Sequence, residues 1–134
     1  MKLQWSSEFS VHDDEIDRHH RELFLMINNL DDAMRQGRAG AEVLKVLDFL
    51  DQYIILHFRS EEQRMTGSSY PSYEDHRNRH LWFRGQLSDI RKKLETEGPT
   101  PDVIVQADHL LITWFSNHVR TLDMRLGNFL KEGR

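Results

Sequence analysis

The chain has 134 residues, 38% of them apolar, with seven Phe, three Trp and three Tyr; that is the usual size of one domain with a real core, so residues 1–134 are read as a single domain. A formal net charge of −4 and a pI near 6.0 leave no basic excess to neutralise phosphates, which argues against nucleic acid or an anionic membrane as a partner. The absence of cysteine excludes disulfides, iron–sulfur clusters and thiolate zinc sites, so any metal must be held by nitrogen and oxygen.

The opening run MKLQWSSEFS has no apolar h-region, and no stretch of the chain approaches the roughly 20 apolar residues that span a bilayer. A cytoplasmic chain with a short N-terminal arm is expected. The first helix is predicted over about 13–36, with Ile16, Leu23, Ile27, Leu30 and Met34 on one stripe and Gly37 and Gly40 as stop signals. The second covers about 41–65, its stripe running Val43, Val46, Leu50, Tyr53, His57, Glu61, and it stops at Gly67-Ser68-Ser69 with Pro71 beyond. A third, about 72–96, aligns His76, His80, Phe83, Leu87, Ile90 and Leu94 and closes at Gly98-Pro99-Thr100-Pro101. The fourth, about 102–118, aligns Ile104, Ala107, Leu111, Trp114 and His118, and a short C-terminal piece over about 121–131 offers Leu122, Leu126, Phe129 and Leu130. No useful strand alternation occurs, and short links between amphipathic helices imply an all-α, up-down-up-down antiparallel four-helix bundle.

Five of the eight histidines fall into a spaced set with two acids: His20, His57-x-x-x-Glu61, His76-x-x-x-His80 and His118-x-x-x-x-Asp123. Residues four apart on a helix share a face about 5–6 Å apart at Cβ, close enough to ligate one metal or a neighbouring pair. A mixed imidazole and carboxylate set suits transition metals, whereas calcium or magnesium would want oxygen. At about 100° per residue, Glu61 lies roughly 40° from His57 while Glu62 lies about 140° away, so Glu62 is expected to face solvent. By the same arithmetic His20 sits about 35° from its stripe centre and His19 about 65° on the other side, which favours His20 without excluding its neighbour, and His109 should be exposed. His118 and Asp123, five apart, do not share an α-helical face. The expectation is a helix that ends near His118, with Asp123 entering from the turn or the next helix and Thr121 as its cap. A single histidine on such a stripe is ordinarily a hydrogen-bonded core residue. Here the pattern repeats on four helices, and five imidazoles and two acids buried at one level without partners would cost several kcal/mol apiece.

With these residues in view, the sequence closely resembles the hemerythrins, specifically the bacterial single-domain kind. The resemblance covers nearly the whole chain: the arm with Trp5, Ile16-Asp17-x-x-His20, His57-Phe58-x-x-Glu61-Glu62, Tyr70-Pro71 before His76-x-x-x-His80, and Trp114-x-x-x-His118-x-x-x-x-Asp123. It implies two iron ions joined by two carboxylates and an oxo or hydroxo group. Glu61 and Asp123 then look like the bridges, His76, His80 and His118 like terminal ligands of one iron, and His20 and His57 like those of the other. Two octahedral irons offer about twelve positions; that ligand set leaves one open, on the iron of His20 and His57, where the family binds O2 reversibly.

The implied wall of the O2 pocket is Phe24, Phe58, Trp114, Phe115 and Val119. Phe115 departs from the leucine common in the family three residues before the last histidine, and His19 replaces a common polar residue beside the first ligand. The expectation is a non-enzymatic O2 carrier, store or local sensor whose ligand is O2; the sequence points to no particular protein partner. Rival classes are a sensory module working through a separate partner or a longer parent chain, a di-iron oxidase or peroxidase, and iron storage. Trp82 lies off its stripe, as a possible contact patch.

Overall fold

A computed structural model describes residues 5–132; the first four residues of the expected arm, and Gly133 and Arg134, lie outside them. The arm begins with Trp5 and a 3-10 turn, Ser7–Phe9. Four rods follow: α1 (Asp14–Arg35), α2 (Ala39–Gly67), α3 (Tyr73–Glu97), and a fourth that runs from α4 (Pro101–His109) through two π segments and α5 (Phe115–His118) to α6 (Met124–Glu132). α1 packs on α2, α2 on α3, and both α1 and α3 on α4, which gives the antiparallel bundle that the short links demand. No helix among the described residues is long and apolar enough to cross a membrane.

Local chemistry places the ends. Asp13 caps α1, its carboxylate accepting from the Ile16 N–H at 3.1 Å, and Thr100 caps α4 through Val103 N–H at 3.3 Å with Pro101 in the first turn. Gly37 and Gly98 take φ of +73° and +77° just past α1 and α3, the left-handed conformation that glycine adopts without a Cβ penalty. α2 starts two residues earlier than its stripe suggests, and Gly40 therefore lies inside its first turn.

The fourth rod differs most from the sequence reading. Instead of ending near His118 and restarting, the backbone stays in right-handed helical dihedrals through Leu110, Phe115, Val119 and Met124. The spacing of five is absorbed by the π segment Val119–Asp123, the second of two in this rod, the first being Leu110–Trp114. A π turn closes on residue i+5 rather than i+4, so each segment inserts one residue without breaking the rod and rotates everything beyond it. Thr121 is therefore no cap; its hydroxyl donates back to the Asn117 carbonyl at 2.8 Å. The core stripe shifts too, running through Val103, Ala107, Leu111 and Phe115, with Ile104 and Trp114 half-buried.

The main core, with Leu23, Ile27, Leu30, Val43, Leu50, Phe83, Leu87 and Leu111, fills one length of the bundle. A smaller cluster of Met65, Tyr70 and Leu126, backed by Phe129, packs separately where α2 ends and α6 begins. Ring packing, hydrogen bonds and a close backbone approach tie the arm down. Phe9 meets Phe24 edge-on at 4.8 Å beneath Trp5. The buried Asp17 carboxylate accepts from Val11 N–H at 2.9 Å and from Ser10 Oγ at 2.7 Å. Gly127 of α6 lies so close to the Val11 backbone that an added Cβ would stand 2.2 Å from its carbonyl oxygen.

Gly127→Ala should accordingly loosen the arm. Alanine gains up to about 1 kcal/mol of helix propensity, but overpacking against backbone costs about 1–3 kcal/mol. Chemical denaturation should show a net loss of stability, and a variant as stable as the parent would show that the arm does not press on α6.

Candidate metal centre

Each rod brings its polar residues to one level because neighbours run in opposite directions. His20 lies near the start of α1, His57 and Glu61 toward the end of α2, His76 and His80 at the start of α3, and His118 and Asp123 past the middle of the fourth rod. All seven are buried, none more than 4% exposed. The structure thus gathers every residue of the spaced set. The second π segment brings His118 Nε2 to 3.0 Å from Asp123 Oδ1, two groups that an α-helix would hold on different faces.

The Nε2 atoms all turn inward. His118 Nε2 stands 3.2 Å from that of His76 and 3.1 Å from that of His80, and the His20 and His57 Nε2 atoms are 3.0 Å apart. Asp123 reaches both sides, with Oδ1 2.9 Å from His76 Nε2 and Oδ2 3.1 Å from His20 Nε2. Glu61 Oε1 lies 3.4 Å from His57 Nε2 and 3.3 Å from His80 Nε2. These approaches are short, yet no oxygen of Glu61 or Asp123 has a hydrogen bond of acceptable direction. A convergent set of nitrogens and orphaned carboxylate oxygens is what a metal site presents. A metal with bonds of about 2.1 Å to imidazole holds donors at right angles about 3.0 Å apart. Two donor groups form, Glu61, His76, His80, His118, Asp123 and His20, His57, Glu61, Asp123. They share the two carboxylates, so the residues fit a pair of cations bridged by Glu61 and Asp123.

The electrostatics lean the same way. Burial lowers His118 to about 4, and burial together with His20 pulls His57 well below the ordinary histidine range, so both rings are neutral with lone pairs free. Burial works against an ionised Asp123, but His118, His20 and His76 hold it well down in the carboxylate form. Burial, reinforced by the charge of Asp123, pushes Glu61 well up. Two carboxylates in this space repel, and cations between them remove the conflict.

Two further side chains join the site: Glu62, which the sequence reading set aside, and His19, which it ranked below His20 without excluding it. Glu62 is only partly turned to solvent, its side chain 27% exposed: its Oε2 accepts from His80 Nδ1 at 3.0 Å, and that hydrogen bond holds its carboxyl below the usual range. Its helical position pointed away from the stripe, but its reach to α3 follows from packing that one helix cannot reveal. His19 is half-buried with Nδ1 3.2 Å from His57 Nδ1. The aromatic candidates divide by side. Phe58 stacks on His80 at 3.8 Å and Trp114 on His118 at 4.4 Å, whereas Phe115 stands 6.0 Å from His20 and 6.3 Å from His57. Val119 is fully buried, and Phe24 packs its ring on Phe9 and Trp5 of the arm. His109 is exposed as expected. It lines, with Trp82, Arg79, Trp114 and His118, an open cleft of ≈ 290 Å³ beside the fourth rod.

A four-helix bundle with a buried histidine and carboxylate centre defines a class of metal-binding proteins, and sequence comparison narrows it. Residues 11–130 match the family described as the hemerythrin HHE cation binding domain. The chain is 29% identical over 126 residues to a bacteriohemerythrin of Methylococcus capsulatus, covering 93% of this chain and 94% of the relative. It is 31% identical over 121 residues to a bacteriohemerythrin of Pseudomonas aeruginosa, covering 90% and 76%. A crystal structure of a hemerythrin with one leucine replaced by tyrosine superposes with a TM-score of 0.82 at 28% identity, covering 96% of each chain. The chain belongs to the hemerythrin family, whose members are di-iron, O2-binding proteins.

Without metal, stability should fall with acid. The unfolded chain binds a proton at His118 near the ordinary 6.5, whereas the folded site resists it down to about 4. The folded state is therefore fully favoured above pH 6.5 and loses stability as pH drops through that window, by on the order of 3 kcal/mol from this residue. Urea midpoints of the metal-free protein between pH 7.5 and 4.5 check this; a midpoint that held steady or rose on acidification would contradict neutral buried imidazoles.

Proposed function

We propose that this protein is a cytoplasmic O2 carrier or store that binds O2 reversibly at a di-iron centre, not an enzyme. In this reading Glu61 and Asp123 would be the carboxylates shared by two irons, His76, His80 and His118 would hold one of them, and His20 and His57 would hold the other. The observation that supports it best is the unequal donor count on either side of two shared carboxylates. Three imidazoles face two, so the His20/His57 side is short of a protein ligand and is the place for an exogenous one. When bound, two Fe(II) ions supply both the coordination position and the electrons that O2 binding needs.

The side chains determine whether such binding reverses. Imidazole adds no charge as a metal ligand, so five of them against two acids would keep the negative charge of the site low, which disfavours the higher iron valences that oxidation chemistry uses. Phe58 and Trp114 lie nearly parallel to the His80 and His118 rings and fix their planes. Phe115, fully buried beside His20 and His57, is the wall residue placed to keep water from the open side.

Anaerobic loading with Fe(II) should give two irons per chain and a visible charge-transfer band that appears with O2 and disappears when O2 is removed. A band that forms once and decays to a stable diferric spectrum would point to a redox sensor or an oxidase instead; no band at all would end the O2-binding reading.

Phe115→Ala should open the wall. Autoxidation, followed as loss of that reversible band, is expected to run several-fold faster with iron content unchanged. An unaltered rate would remove Phe115 from the wall.

A further inference from the structure

Five imidazoles point Nε2 into the centre, but their outer nitrogens are treated unequally. Nδ1 of His20, His76 and His118 has no hydrogen-bond partner among the described residues. His80 Nδ1 is held by the Glu62 carboxylate at 3.0 Å, and His57 Nδ1 faces His19 Nδ1 at 3.2 Å. One ring on each side of the centre is therefore anchored from behind, by an anion on one side and by a second imidazole on the other. Two Nδ1 atoms at that distance bond only if one carries the proton. If His57 gives its Nε2 lone pair to a metal, its proton must sit on Nδ1, and His19 Nδ1 must accept. His19 itself is steadied by the Tyr53 ring, edge-on at 5.6 Å.

We propose that His19 is a positioning residue for the metal centre: its Nδ1 accepts the hydrogen bond that fixes the tautomer and ring plane of His57, with Nε2 turned inward. The inference rests on the di-iron reading and deepens it. A hydrogen-bond partner behind a ligating histidine fixes its orientation and raises its basicity. A carboxylate partner does so more strongly than a neutral imidazole, because the bond is charge-assisted. The His57 side is accordingly the less electron-rich of the two, and it is also the side short of a protein ligand. His19 and Glu62 together make the two metal positions electronically unlike before any external ligand arrives.

The test compares the parent, His19→Leu, which removes the acceptor, and His19→Gln, whose amide oxygen can replace it. Zn(II) serves as a diamagnetic probe, with affinity measured by chelator competition and the His57 Nδ1–H followed by nitrogen-15 NMR, the fold being checked by circular dichroism. The expected result is a slowly exchanging His57 Nδ1–H in the parent and in His19→Gln. In His19→Leu that signal is lost, and the weaker of two zinc sites binds about 10–100-fold less tightly. Parent-like affinity and an unchanged Nδ1–H in His19→Leu overturn the proposal. Equal loss in Leu and Gln variants overturns it as well, since that would make His19 a packing residue. A parent chain that takes up neither zinc nor iron would instead remove the centre itself, an outcome visible before any variant is compared.

Discussion

The bundle is organised around one liability: seven ionisable side chains buried at a single level, with two carboxylates whose four oxygens lack hydrogen-bond partners. Each such group taken out of water costs several kcal/mol when unpaired. The fold can carry this because apolar packing brackets the level on both sides, the long core of Leu, Ile, Val and Phe on one and Met65, Tyr70 and Leu126 on the other. A fully buried Leu or Ile contributes about 1.5–3 kcal/mol, so the main core is large enough to hold a polar layer that would not form by itself. Cations at the centre would convert the liability into a stabilising element, since they would neutralise both carboxylates and take up imidazole lone pairs.

Bringing four helices to one level is a problem of register. On α2 and α3 it is solved by spacings of four, His57 to Glu61 and His76 to His80, which need only an ordinary α-helix. These were legible in the sequence, as were the number of rods, the apolar stripes of the first three, and the ends at Gly37 and Gly98 where backbone sterics leave a compositional mark. The fourth rod uses a spacing of five. Read with α-helical periodicity, His118 and Asp123 demanded a break; the structure keeps the rod whole and changes the turn. A π turn has no residue signature comparable to proline or glycine, and its only sign here was the mismatch between the α-helical period and the spacing of two residues of one candidate ligand set. That mismatch was visible; its resolution depended on tertiary packing that rewards convergence of His118 and Asp123 on groups from three other helices.

Glu62 and His19 show a second limit of one-dimensional reading. A helical wheel sorts residues by the face of their own helix, and it turned Glu62 toward solvent. What it cannot contain is the neighbouring helix: Glu62, at the margin of the α2–α3 interface, reaches His80 with a flexible side chain, and His19 does the same to His57 across the α1–α2 interface. Direct donors come from the buried stripe, where periodicity is informative. Their outer partners come from the flanks, where a long side chain can equally well be solvated, so they become identifiable only when helices are packed.

This division of labour bears on how a symmetric-looking bundle acquires a directional site. The two bridging acids are common to both sides, so they cannot distinguish them. Distinction arises from three things that act together: three imidazoles against two, a carboxylate behind His80 against an imidazole behind His57, and flat stacking of Phe58 and Trp114 on one set of rings against Phe115 standing off the other. Donor count decides where an external ligand has room. Outer hydrogen bonding decides how firmly each ring gives its electrons. On the proposed reading, the aromatic residues beside the centre would decide whether its open side stays dry. On the proposed reading all three single out the His20/His57 side as the reactive one, and because they are set by residues on different helices, a change at Phe115 or His19 would tune that side while Glu61, Asp123 and the three-histidine side keep their own packing.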